Sequence, residues 1–464
     1  MVAVGALTLT VPAPAANAWA SRPFISLMGP VAWPAAKASA FPAQWPAAQG
    51  LQAHNVIATV KRFALNSIEN CRFKVDVRID ARPLREIYLP HFKRILEAGC
   101  MSVMSAHNKV NGAYCGESYA LLTGILRKDW GFDGFVHSDW VMGVYSVHGA
   151  SAGLDVENPE PRVFGRDLVA AFEAGTVSIE TIDMACRRIL TTQYRFACAD
   201  DPLTEYSVAM VASPAHRALA LEAAEKSAVL LKNEGGLPFD RTRINKLAVL
   251  GRLAALVNTG DKGSSRVHAP YVVTVLAGLT EAIGDPSTIL RGDGTDPASA
   301  GTGAAEADAC VVVVGYTARE EGEFVPGDIA LGQDGGEAGP SVGGNRVSLR
   351  LPAEQVALIR VACAANPRTV VVLVAGSAVL VSEWLDQCPA LLQTFYAGME
   401  GGAALANLLF GAVVPSGKLP SFMSYREDYL PFFDAAASEI TYDLWHGYCK
   451  LEKENNAALV RFGH

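Results

Sequence analysis

Acidic residues are missing altogether from the first fifty positions. That stretch holds fifteen Ala, seven Pro and three of the seven Trp, with no Asp or Glu. Pro interrupts every candidate helix or strand in it, and no apolar periodicity builds a packed unit. Residues 1–50 therefore read as an irregular Ala/Pro-rich segment. The chain also lacks any apolar run approaching the ~20 residues that span a bilayer. Cysteines are scattered, nine in all at 71, 100, 115, 186, 198, 310, 363, 388 and 449, with no CxxC pair. An odd, unclustered set argues against a disulfide framework and a zinc site, and predicts mostly buried, reduced thiols. No Walker-type phosphate loop, no GxGxxG after a strand and no HExxH occurs, so nucleotide, dinucleotide and zinc-protease chemistry has no motif to rest on. Cationic excess is absent too. With 39 Lys and Arg against 47 Asp and Glu, the net charge of -8 leaves no footprint for nucleic acid or an anionic membrane. Ala16-Asn17-Ala18 resembles a small-residue cleavage site, but no Lys or Arg precedes it. A cytoplasmic address is the default reading, and a periplasmic or secreted one the alternative.

What is present is an ordinary globular composition, 50% hydrophobic and 19% charged, over 464 residues. That length exceeds one compact core and implies two or three domains. Residues 51–198 alternate strand-like runs, polar tips and helical stretches. Strand candidates fall at 55–63, 101–104 and 134–136, and helices at 88–99, 117–130 and 166–193. Strand, tip, helix, repeated, is the rhythm of a (β/α) barrel, and the stretch is too short for the about 250 residues of a full one. A linker is expected at 199–215. Residues 216–464 then carry near-continuous Val/Leu/Ile strands at 247–251, 309–315, 369–376 and 390–396, separated by helices. Such strands predict a mostly parallel sheet buried on both faces. A Gly-rich, acidic loop at 319–350 is long enough to expect a function for it.

The chemistry-bearing groups lie on the tips. The stretch GFDGFVHSDW (131–140) passes from a short buried strand to Asp139 and Trp140. A carboxylate beside an indole suits a sugar, whose ring can lie on an apolar face; the competing reading is a helix cap. Lys61-Arg62, His107-Asn108-Lys109 and Asp155/Glu157 stand on the other tips. Carboxyl ends of parallel strands are where ligands meet an α/β chain. In the second domain Glu320-Glu321-Gly322-Glu323 puts three carboxylates within four residues. Their mutual repulsion favours one staying protonated at neutral pH. A protonated carboxyl working with an ionised one is what glycoside hydrolysis needs. The alternative is a solvated acidic loop. Gly260 to Arg266 (GDKGSSR) fits no phosphate loop and reads as an irregular segment near the site.

Taken together, 55–72 (NVIATVKRFALNSIENCR), 102–116 (SVMSAHNKVNGAYCG), GFDGFVHSDW with AGLDVENP, 226–238 (KSAVLLKNEGGLP), 263–276 (GSSRVHAPYVVTVL), YAGMEG and PSGKLP resemble glycoside hydrolase family 3. The resemblance implies a TIM-like (β/α) barrel followed by an α/β sandwich. It further implies a retaining, exo-acting β-glycosidase acting on a β-linked oligosaccharide or an aryl or alkyl glycoside. No metal or organic cofactor is implied. Carried across, Asp139 matches the nucleophile, and Trp140 its neighbour at the sugar subsite. Lys61 matches a residue that binds sugar hydroxyls. Arg62, Arg72, His107 and Glu157 complete the expected substrate-binding set. The acid/base falls on Glu321, which precedes Gly322, or on Glu323, which precedes Phe324, and the pattern leaves both open. The two catalytic carboxyls of a retaining enzyme are expected about 5–5.5 Å apart.

Three departures accompany the match. Arg62 stands where the family carries His. The early barrel strands, with an Asp and an Arg that grip the terminal sugar, are expected upstream of residue 51, and the acid-free segment does not resemble them. A fibronectin-like third domain is expected to be missing after His464. An incomplete barrel would call for a second copy of the chain, and an impaired sugar-binding or structural protein is the rival reading.

Overall fold

The computed structural model describes residues 25–28, 41–200, 206–324 and 343–464. Its described residues divide into two compact units, one running up to residue 200 with Phe433–Leu444 added, the other of Tyr206–Phe432 with Trp445–His464. The residues 16–18 and parts of the expected linker and acidic loop lie outside the described residues.

In the first unit, four parallel strands stand side by side in chain order: Ile25–Met28, Ala58–Phe63, Ser102–Ser105 and Phe135–His137. A single bridge from His137 to Val156 continues the series. Because every strand runs the same way, Lys61-Arg62, His107, Asp139 and Glu157 all follow carboxyl ends and meet on one rim. The core below is apolar. Val60, Phe63, Val103 and Val136 pack with Leu122, Leu126, Phe92 and Ile95. The helix Ala120–Asp129 buries Leu121, Leu122, Ile125 and Leu126, the three-and-four spacing of one helical face.

The first fifty residues differ from the irregular segment expected. Ile25–Met28 is a strand paired with Ala58–Lys61, so one strand does precede residue 51. The helix Phe41–Gln52 begins in the same segment. Pro42 falls in its first turn, where a missing N–H costs nothing. Gln52 then fastens its end by donating to the Gly99 carbonyl at 2.6 Å and accepting from the Met101 N–H at 3.1 Å. Both elements rely on partners distant in sequence, which local periodicity does not register. Residues 433–444 are a second difference from a domain running unbroken over 216–464. Glu439–Tyr442 pairs in parallel with Asp76–Ile79, and Tyr442 stacks on Tyr88 at 5.2 Å, so that segment belongs to the first unit.

The second unit is built on a six-stranded sheet. Its spatial order is Ile289–Gly292, Leu247–Leu250, Ala309–Gly315, Thr369–Val374, Ala390–Gln393 and Val229–Asn233, with only the last antiparallel to its neighbour. Alternate residues of the central strand serve opposite faces. Val312 and Val314 pack with the helices Pro297–Glu306 and Ala353–Ala365, whereas Val311 and Val313 pack with Val275–Ile283 and Gly401–Leu409. This explains the unbroken apolar strands. Gly315 ends the central strand at φ +136, where a Cβ would lie 1.8 Å from the Val374 carbonyl oxygen. Only Gly fits at that crossing, and it sets the exit angle of the acidic segment. All nine cysteines are free, and five of them are buried. Burial pushes the Cys100 thiol up to about 11 and the Cys115 thiol to about 12, which makes them poor nucleophiles.

Asp155 shows how the rim is braced. Its carboxylate is fully buried, accepts from Arg127 at 2.7 Å and Arg188 at 2.9 Å, and takes the Val136 N–H at 2.8 Å. It therefore ties the strand before Asp139 to the helices Ala120–Asp129 and Ile179–Ala197. Breaking a buried charge set by removing one member costs about 3–5 kcal/mol. Asp155→Ala is expected to lower the urea midpoint accordingly, whereas Glu86→Ala, which removes an exposed partner of Arg82, leaves it unchanged. Equal midpoints for the two variants would contradict this account.

Candidate active site

Asp139 stands two residues beyond the strand Phe135–His137, in a turn that the chain cannot make without Gly143. A Cβ on Gly143 would lie 2.4 Å from the Asp139 carbonyl oxygen. The carboxylate, only 6% exposed, is held from several sides. Oδ1 accepts from the Trp140 backbone N–H at 2.8 Å, and Oδ2 from Arg62 Nε at 2.9 Å. His107 Nε2 lies 3.4 Å from Oδ2. Burial by itself would push this carboxyl up. The neighbouring His107, Arg62 and Lys61 and the Trp140 N–H outweigh it, and hold Asp139 well below the usual carboxylate range. Asp139 is thus a buried, ionised, oriented carboxylate at a strand end.

Arg62 does not end at Asp139. Its Nη1 donates to Glu69 Oε1 at 3.2 Å, and the other oxygen of Glu69 receives a close contact from Arg72. Arg72 lies over the Phe73 ring at 4.9 Å, and Phe73 packs on His107 at 4.6 Å. His107 donates from Nδ1 to the Met142 carbonyl at 3.2 Å. Burial depresses its pKa, and Arg72 and Arg62 add to this against the opposing pull of Asp139. Nδ1 is committed as a donor to the Met142 carbonyl, and Nε2 faces the Asp139 carboxylate.

The remaining expected residues divide. Lys61, Arg62 and His107 gather around Asp139 by contact or charge, and Arg72 is linked to it only through Glu69 and His107. Trp140 contributes its backbone, while its indole is 55% exposed and offers an open apolar face. Glu157 turns away: its Oε2 accepts from the N–H groups of Val163 at 2.8 Å and Phe164 at 2.7 Å, which orders the following loop. Asp155 is the brace described above. Of the tip His107-Asn108-Lys109, Asn108 binds the Ala64 carbonyl, and Lys109 lies over the Tyr114 ring at 4.7 Å.

In the second unit the three adjacent glutamates do not face one another. Glu320 closes a capping box, accepting from the Thr317 N–H at 2.8 Å and its hydroxyl at 2.6 Å. Glu321 is buried among four donors. Oε1 accepts from the Gly376 N–H at 2.6 Å and the Tyr396 hydroxyl at 2.5 Å, while Oε2 meets the Ser377 hydroxyl at 3.2 Å and Arg346 Nε at 3.4 Å. Burial, reinforced by Glu321, raises the Tyr396 phenol far above its ordinary value, so it remains a donor. Glu323 turns to the GDKGSSR loop, where its Oε2 accepts from both the N–H and the hydroxyl of Ser264 at 2.6 Å. Asp261 of that loop returns the contact by accepting the Glu323 N–H at 2.8 Å. The loop at 260–266 and the acidic segment thus form one hydrogen-bonded structure. Glu69, Arg346, Tyr396 and Asp261 were not singled out from sequence. All four lie inside the stretches quoted above, Arg346 in the loop 319–350 and Tyr396 at the head of YAGMEG, and none carries a local sign of its partner.

The family model described as "Glycosyl hydrolase family 3 N terminal domain" matches residues 35–192, and "Glycosyl hydrolase family 3 C-terminal domain" matches residues 228–464. Thermostable beta-glucosidase B of Acetivibrio thermocellus is 32% identical over 434 residues, covering 90% of this chain and 54% of that protein. Exo-alpha-(1->6)-L-arabinopyranosidase of Bifidobacterium longum is 34% identical over 391 residues, covering 80% and 48%. The chain spans about half the length of these curated relatives. In fold it resembles the crystal structure of beta-D-glucoside glucohydrolase from Trichoderma reesei, with a TM-score of 0.79 at 24% identity over 91% of this chain and 61% of that one. Its architecture is accordingly a TIM-like domain followed by an α/β sandwich. With the C-terminal model alone spanning residues 228–464 and the N-terminal model preceding it, the chain belongs to glycosyl hydrolase family 3.

Proposed function

We propose that the chain is a retaining, exo-acting β-glycosidase that removes terminal non-reducing β-D-glucosyl residues. The observation that carries this reading is Asp139, a buried carboxylate kept ionised at a strand end beside cations that can bind hydroxyls. Asp139 attacks the anomeric carbon as the bond to the leaving oxygen breaks, and a carboxylic acid protonates that oxygen. Water then displaces Asp139 from the glycosyl-enzyme, giving its proton to the same carboxylate. Lys61 and Arg72 are assigned to substrate hydroxyls, His107 Nε2 to a further hydroxyl beside Asp139, and the Trp140 indole to the apolar face of the sugar.

Between the two candidates for the acid/base we favour Glu323. A general acid must be able to turn a proton toward the leaving group. Both oxygens of Glu321 already accept from donors of the protein, which suits an anchor for the segment.

A second reading, sugar binding without turnover, is favoured by one feature: Arg62 is ion-paired to Asp139. Assay of the full chain with p-nitrophenyl β-glycosides and the α-L-arabinopyranoside decides between them. Turnover lost in Asp139→Ala supports the enzyme, whereas equal slow release by both proteins supports the binder.

Glu323→Gln is expected to lower kcat/KM on alkyl glycosides by about 10²–10⁴-fold, the usual contribution of a positioned acid. It should spare 2,4-dinitrophenyl glycosides, whose leaving group needs no proton. Glu321→Gln should lower both alike, and the reverse pattern would exchange the two roles. The third expectation concerns pH. A carboxyl with a depressed pKa stays ionised as pH falls through the ordinary carboxylate range, so Asp139 does not set the acid limb of kcat/KM. Removing a neighbouring cation raises that pKa. The Asp139 carboxyl of Arg62→Ala should therefore titrate at higher pH than in the wild type when followed by carboxylate 13C NMR, and an unmoved titration would contradict the ion pair.

A further inference from the structure

We propose that Glu69 is a positioning residue for Asp139, acting through Arg62 to set the balance between the two displacement steps. The inference rests on Asp139 being the nucleophile of a retaining glycosidase. Glu69 is the first carboxylate in the chain, and its side chain is 1% exposed. Unlike Glu157 and Asp155, it is turned toward the group that holds Asp139. Four charges alternate along one buried path: Asp139, Arg62, Glu69, Arg72.

One guanidinium is therefore shared by two carboxylates. Arg62 gives Nε to Asp139 at 2.9 Å and Nη1 to Glu69 at 3.2 Å. In a site this enclosed, Coulomb interactions are weakly screened. The negative charge on Glu69 offsets part of the field that Arg62 exerts on Asp139, and its hydrogen bond fixes the plane of the guanidinium. Both effects bear on the chemistry. In the first step Asp139 donates an electron pair to the anomeric carbon, while the aglycone oxygen leaves with its bonding pair and takes a proton from the acid. In the second, water adds to that carbon and Asp139 departs with the bonding pair. A carboxylate more strongly stabilised by Arg62 is a weaker nucleophile in the first step and a better leaving group in the second. Glu69 moderates that stabilisation.

The test is a comparison of the full chain with Glu69→Gln and Glu69→Asp on 2,4-dinitrophenyl β-glucoside, followed in both the pre-steady and the steady state. Glu69→Gln removes the offsetting charge. It should lower kcat/KM, which reports glycosylation, severalfold more than the rate of deglycosylation, and shrink the burst of dinitrophenol. Glu69→Asp, which restores the charge, should recover part of the split. If Glu69→Gln lowers both steps by one factor, or changes neither, the proposal fails. A second measurement needs no turnover. Glu69 and Asp139 meet through Arg62, so the effects of Glu69→Gln and Asp139→Asn on urea unfolding should be non-additive, and should become additive in an Arg62→Ala background. Additivity in both backgrounds overturns the proposal. A wild-type chain inert on every glycoside defeats the glycosidase reading alone, and the unfolding cycle still decides whether Glu69 acts on Asp139.

Discussion

A carboxylate taken out of water must be given donors, and that requirement organises much of this molecule. Among the described residues, four of the buried carboxyl side chains show how differently this can be done. Asp155 is enclosed by two guanidiniums and a backbone N–H, and so joins one strand to two helices. Glu321 is surrounded by a hydroxyl pair, a backbone N–H and Arg346, and so fastens the acidic segment to the ends of two sheet strands. Glu69 lies between two arginines. Asp139 takes one backbone N–H and one edge of a guanidinium that it shares. The first two arrangements read as bracing. In the last, charge is held in place by few donors, the arrangement that the proposed nucleophile calls for.

The parallel sheets supply the positions at which those charges can be used. A parallel strand is covered on both faces, so its polar residues collect at its ends. In the first unit that places Lys61, His107 and Asp139 after three neighbouring strands. In the second, Gly315 lets the central strand cross closely over Val374 before the chain turns to Thr317 and the glutamates. The apolar cores do not touch the chemistry directly. They define where each strand stops, and the tip residues inherit that definition.

How much was legible beforehand follows the range of the interactions concerned. The helix 120–129 and the strands at 247–250, 309–315 and 369–374 were readable because their pattern is repeated within a few residues. The strand Ile25–Met28 was not, because its partner lies more than thirty residues away and its own neighbourhood is Ala and Pro. Glu439–Tyr442 lies within the stretch matched by the C-terminal family model, and its pairing with Asp76–Ile79 is likewise a long-range contact that no local pattern shows. Among side chains, Asp139 stood out by position after a strand. Glu157 shared that position and yet turns to Val163 and Phe164, a choice made by the loop that follows it.

From its sequence alone this protein could be divided into two α/β parts, given its tip residues and connected to its family, because strand pattern and motif spacing are local properties. Which carboxylate braces and which is presented for chemistry was decided by tertiary structure. Asp139, Asp155, Glu157 and Glu321 are all carboxylates on polar tips in the written chain. What separates them is the number and direction of the donors folded around each, and those donors come from residues such as Arg62, Arg188, Phe164 and Tyr396. The physical reason is that the cost of burying a charge is met by groups close in space, whatever their distance along the chain.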